Sequence, residues 1–178
     1  FEFRTSSPFI DAPANEEIKI SIAGSNSTSS GQAIADFYYT LSANETYVLI
    51  AEGIVSTSGY SPATPFSIEV YAMGQETANN SANTDLLIHH GATDAPTVDV
   101  VEVGVGAGTI VDNASYGDFT AYLELQTNDY TLDITDETGQ VTVASYSAPL
   151  QTLGLNGAAA VVVASGFLNP SNNSNGPA

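Results

Sequence analysis

Residues 122–134 read YLELQTNDYTLDI. Two alternating runs, Tyr122-Leu123-Glu124-Leu125 and Tyr130-Thr131-Leu132-Asp133-Ile134, flank a polar break at Asn128-Asp129. Alternation at period two puts one side of a strand in a core and the other in water. The same pattern recurs at Ile18-Lys19-Ile20-Ser21-Ile22 and at Phe66-Ser67-Ile68-Glu69-Val70. Tyr47-Val48-Leu49-Ile50 and Val161-Val162-Val163 are continuous apolar runs and read as central strands covered on both faces. Turn-forming residues separate these runs: Asn15-Glu16, Asn44-Glu45, Asp136-Glu137-Thr138-Gly139 and Asn156-Gly157. Helical period is nearly absent, and Ser30 to Ala35 allows a short turn at most. Many short strands with frequent turns predict an all-β chain of immunoglobulin-like, Greek-key β-sandwiches.

Outward from this stretch, the chain repeats itself. Phe9-Ile10-Asp11-Ala12 resembles Tyr122-Leu123-Glu124-Leu125, Ile20-Ser21-Ile22 resembles Leu132-Asp133-Ile134, and Ala51-Glu52-Gly53-Ile54 resembles Ala164-Ser165-Gly166-Phe167. A spacing of about 113 residues is a whole small domain rather than a solenoid unit, so the pattern predicts tandem sandwiches. The expected division is a first repeat over 1–75, a polar linker over 76–84 and a second repeat over 85–178. The window is out of phase with the domains. The first repeat is expected to lack its opening strands, which the segment Leu86 to Val103 exemplifies. The second is expected to lack its closing strand, exemplified by Phe66, Ile68 and Val70. The opening Phe1-Glu2-Phe3 reads as that of a processed or partial chain.

Composition narrows the function. The 178 residues carry 20 Asp plus Glu against two cations, Arg4 and Lys19, for a net charge of −18. Nucleic-acid binding needs clustered Lys and Arg to displace counterions, so that class is set aside. Attraction to anionic membranes fails for the same reason. No stretch approaches the roughly 18 apolar residues of a membrane span, and no membrane insertion is expected. Charged residues make up 12%, about half of the usual ~25% share. Hydrophobic content of 43% is enough for a core and excludes an acidic disordered tail. With no Cys there are no disulfides, thiolate metal sites or thiol nucleophiles. The carboxylates are expected one at a time on solvent faces and turns.

Residues 86–106 read LLIHHGATDAPTVDVVEVGVG, a strand followed by His90, Gly91, Asp94, Ala95, Pro96, Val98, Asp99 and Val100. Tyr116-Gly117, Tyr122 to Leu125 and Tyr130-Thr131-Leu132 follow. This order resembles the family called domain of unknown function 4397, although Asn128-Asp129 stands where the family often has Gly. The ending Ala164-Ser165-Gly166-Phe167-Leu168 resembles that of tandem members in secreted proteins of marine or salt-tolerant Bacteroidota, often exported through type IX secretion. The resemblance implies an extracellular or cell-surface β-sandwich and no reaction. It makes His90, Asp94, Pro96, Asp99, Tyr116 and Gly117 motif residues of structural rather than catalytic weight.

Read residue by residue, the polar motifs point the same way. His89-His90 with Asp94 and Asp99 has metal-ligand residue types. Adjacent strand residues face opposite ways, however, so one His is expected to pack and one to be solvated. Asp94-Ala95-Pro96 reads as an Asx-type turn with Pro fixing φ. Asp99 lies in a strand between core-facing Val98 and Val100, and the Val100-Val101 doublet suggests a bulge. Gly104-Val105-Gly106-Ala107-Gly108 lacks both the dinucleotide spacing and a following helix, so it reads as a flexible hairpin loop. Asp133 to Gly139 fails the EF-hand spacing and reads as a turn. No cofactor is expected, and a weak Ca²⁺ site assembled from loops is the ion site that the charge leaves open. No GxSxG elbow exists, and neither His has an evident Ser partner. Paired carboxylates for glycoside hydrolysis depend on a separation that sequence does not give. Lys19 reads as a strand lysine facing water. Five Asn-x-Ser/Thr sequons in so Asn- and Ser-rich a chain are near chance.

The expectation is a non-catalytic extracellular structural protein, part of a bacterial surface fibre, stalk or adhesin. Its partners would be copies of itself or further repeats of the same chain, joined by strand exchange with Phe66, Ile68 and Val70 as the candidate assembly strand. The alternative is a module binding glycan or protein through sandwich loops, with Tyr38, Tyr39 and Tyr60 as candidate contacts.

Overall fold

The computed structural model describes residues 1–56 and 58–178. Its strands are β1 (Glu17–Ala23), β2 (Ala33–Thr40), β3 (Val48–Glu52), β4 (Ser67–Tyr71), β5 (Asn83–His90), β6 (Val98–Glu102), β7 (Gly108–Ala114), β8 (Leu123–Gln126), β9 (Asp129–Asp136), β10 (Thr142–Pro149) and β11 (Ala159–Ala164). Two 3-10 turns, Ser30–Gln32 and Pro170–Asn172, are the only helical pieces among the described residues. None is long or apolar enough to cross a membrane. The chain is all-β, as the alternation predicts.

The chain divides into two compact units, Phe1–Ile50 with Val70–Gly74, and Ala51–Glu69 with Gln75–Ala178. Residues 51–69 group with the second unit, whereas the repeat boundaries placed them in the first. The stretch 76–84 is not a free linker either. Thr77 bridges Ala158, the Ala78 amide donates to Gly157 O, and the Asn79 amide donates to Asp85 Oδ2.

In the first unit, β1 and β2 pair antiparallel from Glu17↔Thr40 to Ala23↔Ala33, with an irregularity at Ile22/Ala23. Ile18, Ile20 and Ile22 alternate along β1 but are only half-buried, and no described residue of this unit is fully buried. Lys19 is partnered, its Nζ lying 2.9 Å from Asp36 Oδ2 at the surface. β3 and β4 form a separate two-stranded sheet.

The second unit carries a sandwich-like core. One layer is β11-β5-β8 and the other is β10-β9-β6-β7. Leu86 and Ile88 from β5 meet Val100 (β6), Val111 (β7), Tyr130 and Leu132 (β9) and Leu150. Leu123, Leu125, Ile134 and Ala160 pack around this cluster. The Tyr130 hydroxyl donates to Gln126 O, four residues upstream, in the manner of a tyrosine corner. Register shifts in the β6–β7 ladder at Val98/Val100 and Val100/Val101 mark the bulge that the valine doublet suggests.

The central strand is β5, buried from Thr84 through His90, with β11 parallel on one side and β8 antiparallel on the other. This corrects the reading of Val161-Val162-Val163 as central. They lie on β11 at the sheet edge, each 37–39% exposed. Likewise β3 is half-buried along most of its length rather than sealed on both faces. An uninterrupted apolar run does not by itself distinguish a strand covered on both faces from an edge strand.

Candidate functional site

β5 ends at His89-His90. Ile88 and His90 share one face and Leu87 and His89 the other, since side chains alternate along a strand. Both histidines are buried, at 0% and 3% exposure, so the expectation that one is solvated does not hold. Opposite faces need not mean one dry and one wet when the strand is covered on both sides.

His89 is held by Glu52. Its Nε2 donates to Glu52 Oε2 at 2.6 Å, and its ring lies against Phe119 with centroids 4.2 Å apart. Glu52 itself is only 7% exposed. Two glycines make room for its carboxylate. A Cβ at Gly91 would stand 3.3 Å from Glu52 Oε2 and 3.2 Å from Ala164 O, and Gly117 has a φ of +87° that a side chain would strain. Tyr116 lies beside them, its Oη buried next to the Glu52 carboxylate. Burial, and then the charge of Glu52, push the Tyr116 phenol well above its ordinary pKa. His89 Nδ1 also has no partner. This is a carboxylate–imidazole pair sealed in the interior, a geometry that fastens Glu52 to β5 and offers it no open face.

The motif residues gather around the same strand end. His90 Nε2 donates to Pro96 O at 3.1 Å, the His90 amide donates to Asp118 O, and Gly117 N donates to His90 O. Asp94 does not make the local turn expected of it. Its Oδ1 accepts the Leu168 amide, and its Oδ2 accepts the Asn169 amide and Asn173 Nδ2. Asn173, fully buried, in turn accepts the Ser61 amide on Oδ1. Asp94 therefore ties down residues 168–173, a contact across more than seventy positions that no local pattern signals. Asp99 is buried at 6% and accepts the Asn113 amide.

Buried carboxylates are the main departure from the sequence reading. Glu52, Asp85, Asp99 and Glu102 are all buried, where solvent faces and turns were expected. Glu102 is the most fully satisfied. Its oxygens accept the amides of Gly104, Val105, Gly106, Ala107 and Thr131 at 2.7–3.3 Å. The glycine-rich loop is a hairpin connection, as expected, but it is wrapped around this side chain. Desolvation pushes the Glu102 carboxyl up, and the donors of Ala107, Val105, Gly104 and Thr131 outweigh it and hold the group below the usual carboxylate range. Consecutive backbone N–H groups form an anion-binding concavity, here filled from within the chain. A Glu two residues ahead of a Gly-x-Gly loop was the available signal.

Asp136 accepts the amides of Gln140 and Val141 and the Thr138 hydroxyl, so the 133–139 segment is a capped hairpin turn. Among the described residues no three His, Asp or Glu gather into a group able to hold a metal ion. Phe66, Ile68 and Val70 are half-buried, the last two within β4 in its ladder with β3. Tyr38 is exposed, Tyr39 is half-buried, and Tyr60 packs against Phe167.

Beside His90 lies a cavity of about 290 Å³, walled by Ile88, Ile110, Val111 and Ala114 and bordered by Asp112 and Asp118. Residues 84–171 match the family described as a domain of unknown function, DUF4397. The chain is similar to the DUF4397 family over this segment. No curated protein and no solved structure matches it. The DUF4397 segment takes in the strands β5 to β11, both layers of the core, the His90–Pro96 contact and the Glu102 loop.

Proposed function

We propose that this protein, which carries a DUF4397-like segment, is a non-catalytic extracellular structural element of a surface fibre, stalk or adhesin. Its first unit would be completed by strands from another repeat or another copy. The supporting observation is the state of that unit. β1 and β2 carry the alternation of a sandwich layer, yet no described residue there is fully buried. An isolated two-stranded pair is marginal in water, and a second layer is what it lacks. β1, β2 and β3 stand at the repeat distance from β9, β10 and β11, which supports the tandem reading.

The second unit offers a complementary feature. β11 reads AAVVVA, ends its sheet, and bears no charge, proline or bulge to discourage pairing. Such an edge is a template for another strand. At a net charge of −18 copies repel, so uncharged edges are where they can meet, and salt should favour the meeting. The loop-binding alternative has less support, because Tyr60 is engaged with Phe167 and Tyr39 is half-buried.

The test is light scattering and electron microscopy of the full chain across ionic strength, with hydrogen exchange of β1 and β11. Oligomers or filaments that grow with salt and slow exchange in either strand are the expected result. A monomer at every salt concentration, with β1 exchanging as slowly as β5, would overturn the reading.

A further inference from the structure

β3 and β11 stand at the repeat distance, and Val48-Leu49-Ile50-Ala51 of the one corresponds to Val161-Val162-Val163-Ala164 of the other, 113 positions on. β3 pairs with β4, while β11 has β5 on one edge and ends its sheet on the other. Hydrogen bonds fix which edge of β3 carries β4. Successive residues of a strand turn their N–H and C=O to opposite edges. Ala158 O and Ala164 O accept the amides of Asp85 and Gly91, so the even-numbered residues of β11 face β5, and Ala159, Val161 and Val163 face outward. On the β4 side of β3, Thr46 O accepts the amides of Met73 and Gly74, and Ile54 N donates to Thr64 O. Thr46 and Ile54 correspond to Ala159 and Phe167, on the outward edge. The lane that β4 fills beside β3 is therefore the lane left open beside β11. Residues 177–178 mark its entrance. Phe167 N donates to Pro177 O at 2.8 Å as Ile54 N does to Thr64 O at 2.9 Å, both residues of the pair again 113 positions on. A Cβ added at Gly53 would strike Pro65, and one at Gly166 would strike Ala178. Thr64 and Pro65 lead into β4, so Pro177 and Ala178 occupy the equivalent approach.

We propose that the outer edge of β11 is the docking site for an extended strand of the β4 type, apolar residues alternating with polar ones, donated by another repeat and running antiparallel to β11. Antiparallel is the direction that β4 takes beside β3, since Thr46 meets Met73 at one end and Ile54 meets Thr64 at the other. The lane suits such a strand chemically. Val161, Val162 and Val163 are each 37–39% exposed, and β11 bears no charge to repel an apolar partner. Ile68 and Val70, half-buried in the β3–β4 sheet, are the side chains that a donated strand would lay beside these valines. Main-chain hydrogen bonds supply the affinity in this mode of recognition, so a chain of net charge −18 needs no ion pairs to use it. The inference names the strand that the assembly reading above leaves open, and it rests on that reading's tandem repeat.

The experiment adds a synthetic peptide of residues 64–73 to the full chain at fixed ionic strength, with a scrambled peptide of the same composition as control. ¹H–¹⁵N NMR should show saturable shifts on β11, and hydrogen exchange should slow at Val161 and Val163 but not at Val162, whose amide faces β5. Val161→Pro removes an outward amide and leaves the β5 ladder its bonds, as edge strands tolerate. It should weaken peptide binding about tenfold, the weight of one backbone hydrogen bond, with β5 exchange unchanged. The alternating protection is read in the parent chain, so it decides the matter even where the variant folds poorly. Equal binding of the scrambled peptide, or shifts centred away from β11, would overturn the proposal. So would salt-grown oligomers of a chain that leaves the peptide unbound, an outcome that spares assembly itself. Peptide binding by a chain that stays monomeric would uphold the docking lane and count against self-association alone.

Discussion

The β1–β2 pair of the first unit and the β9–β10 pair of the second are written in the same grammar. Both are antiparallel, and both alternate, through Ile18, Ile20 and Ile22 in β1 and Tyr130, Leu132 and Ile134 in β9. Their burial differs. Tyr130 and Leu132 are 6% and 8% exposed, whereas none of the three β1 isoleucines is fully buried. The difference lies in what surrounds them. β9 sits between β10 and β6 and faces the β11-β5-β8 layer, while among the described residues β1 has only β2 beside it in its sheet. Alternation therefore determines which side of a strand seeks cover. Whether cover exists is a property of the opposite layer, which a strand's own sequence does not encode.

The comparison predicts that damage to the second unit is costly and damage to the first is not. Glu52→Ala should have the largest effect, about 3–5 kcal/mol, because it leaves His89 buried without its charged partner. Urea unfolding followed by tyrosine fluorescence would measure it. Combining Glu52→Leu with His89→Phe should recover much of that loss, since a buried pair replaced by apolar groups is often neutral. A Glu52→Ala protein as stable as the parent would remove the pair from the account of β5.

Leu86→Ala comes next, at about 2–5 kcal/mol, since Leu86 is 1% exposed within the core cluster. Ile20→Ala on half-buried β1 should cost only about 1 kcal/mol. If the two proved equal, the first unit would have a core in solution that its own described residues do not supply. That outcome breaks the comparison and favours completion by a second segment.

These contrasts mark what could be read from sequence. Strand positions were legible, because β1, β4, β8 and β9 alternate and Asn or Gly turns bound them. The bulge at Val100-Val101 was legible for the same reason, as one extra residue breaks the period. The exchange of roles between β11 and β5 was not. Val161-Val162-Val163 and Leu86-Leu87-Ile88 are similar apolar runs, and only the topology puts the first at an edge. The motif residues were found, but their work was not. Asp94 binds a segment more than seventy residues on, and Glu52 meets His89 from thirty-seven residues upstream. Neither partner carries a local signal. The cavity beside His90 was equally hidden, because it lies where β5 of one layer meets β7 of the other.

A weaker effect should come from acid. Burial pushes Glu102 up, but its backbone donors more than compensate. The Thr152 hydroxyl and amide hold Asp129 down, and the Val141 amide leads in holding Asp136 down. Each is a carboxyl whose folded pKa lies below its unfolded one. The stability they add is therefore in place above about pH 4 and drains away as pH falls toward the folded values. All three lie in the second unit, so its signals should fail progressively below pH 4, with the amides of Gly104 to Ala107 among the first to exchange faster. Neutralising the −18 charge works in the opposite direction. Stability that rises between pH 5 and pH 3 would show that relief of repulsion outweighs the loss of these acceptors.

The smallest effect is expected at Lys19, where intuition about so acidic a chain suggests the largest. Lys19 is one of two cations, and it pairs with Asp36. The hydrogen bond that Lys19 donates to Asp36 raises the Lys19 pKa, and those donated by Ser21 and then Lys19 lower that of Asp36. Both side chains nevertheless face water, at 42% and 34% exposure, where salt screens the attraction and ordering two side chains offsets it. Lys19→Ala should leave the unfolding midpoint unchanged, at low and at high salt alike. Ser21, whose hydroxyl already donates to Asp36 Oδ1, keeps that carboxylate partnered when the lysine is gone. A clear loss confined to low salt would mean that the β1–β2 pair, lacking a buried core of its own, depends on this one attraction, and the contrast between the units would then be one of charge as well as of layers.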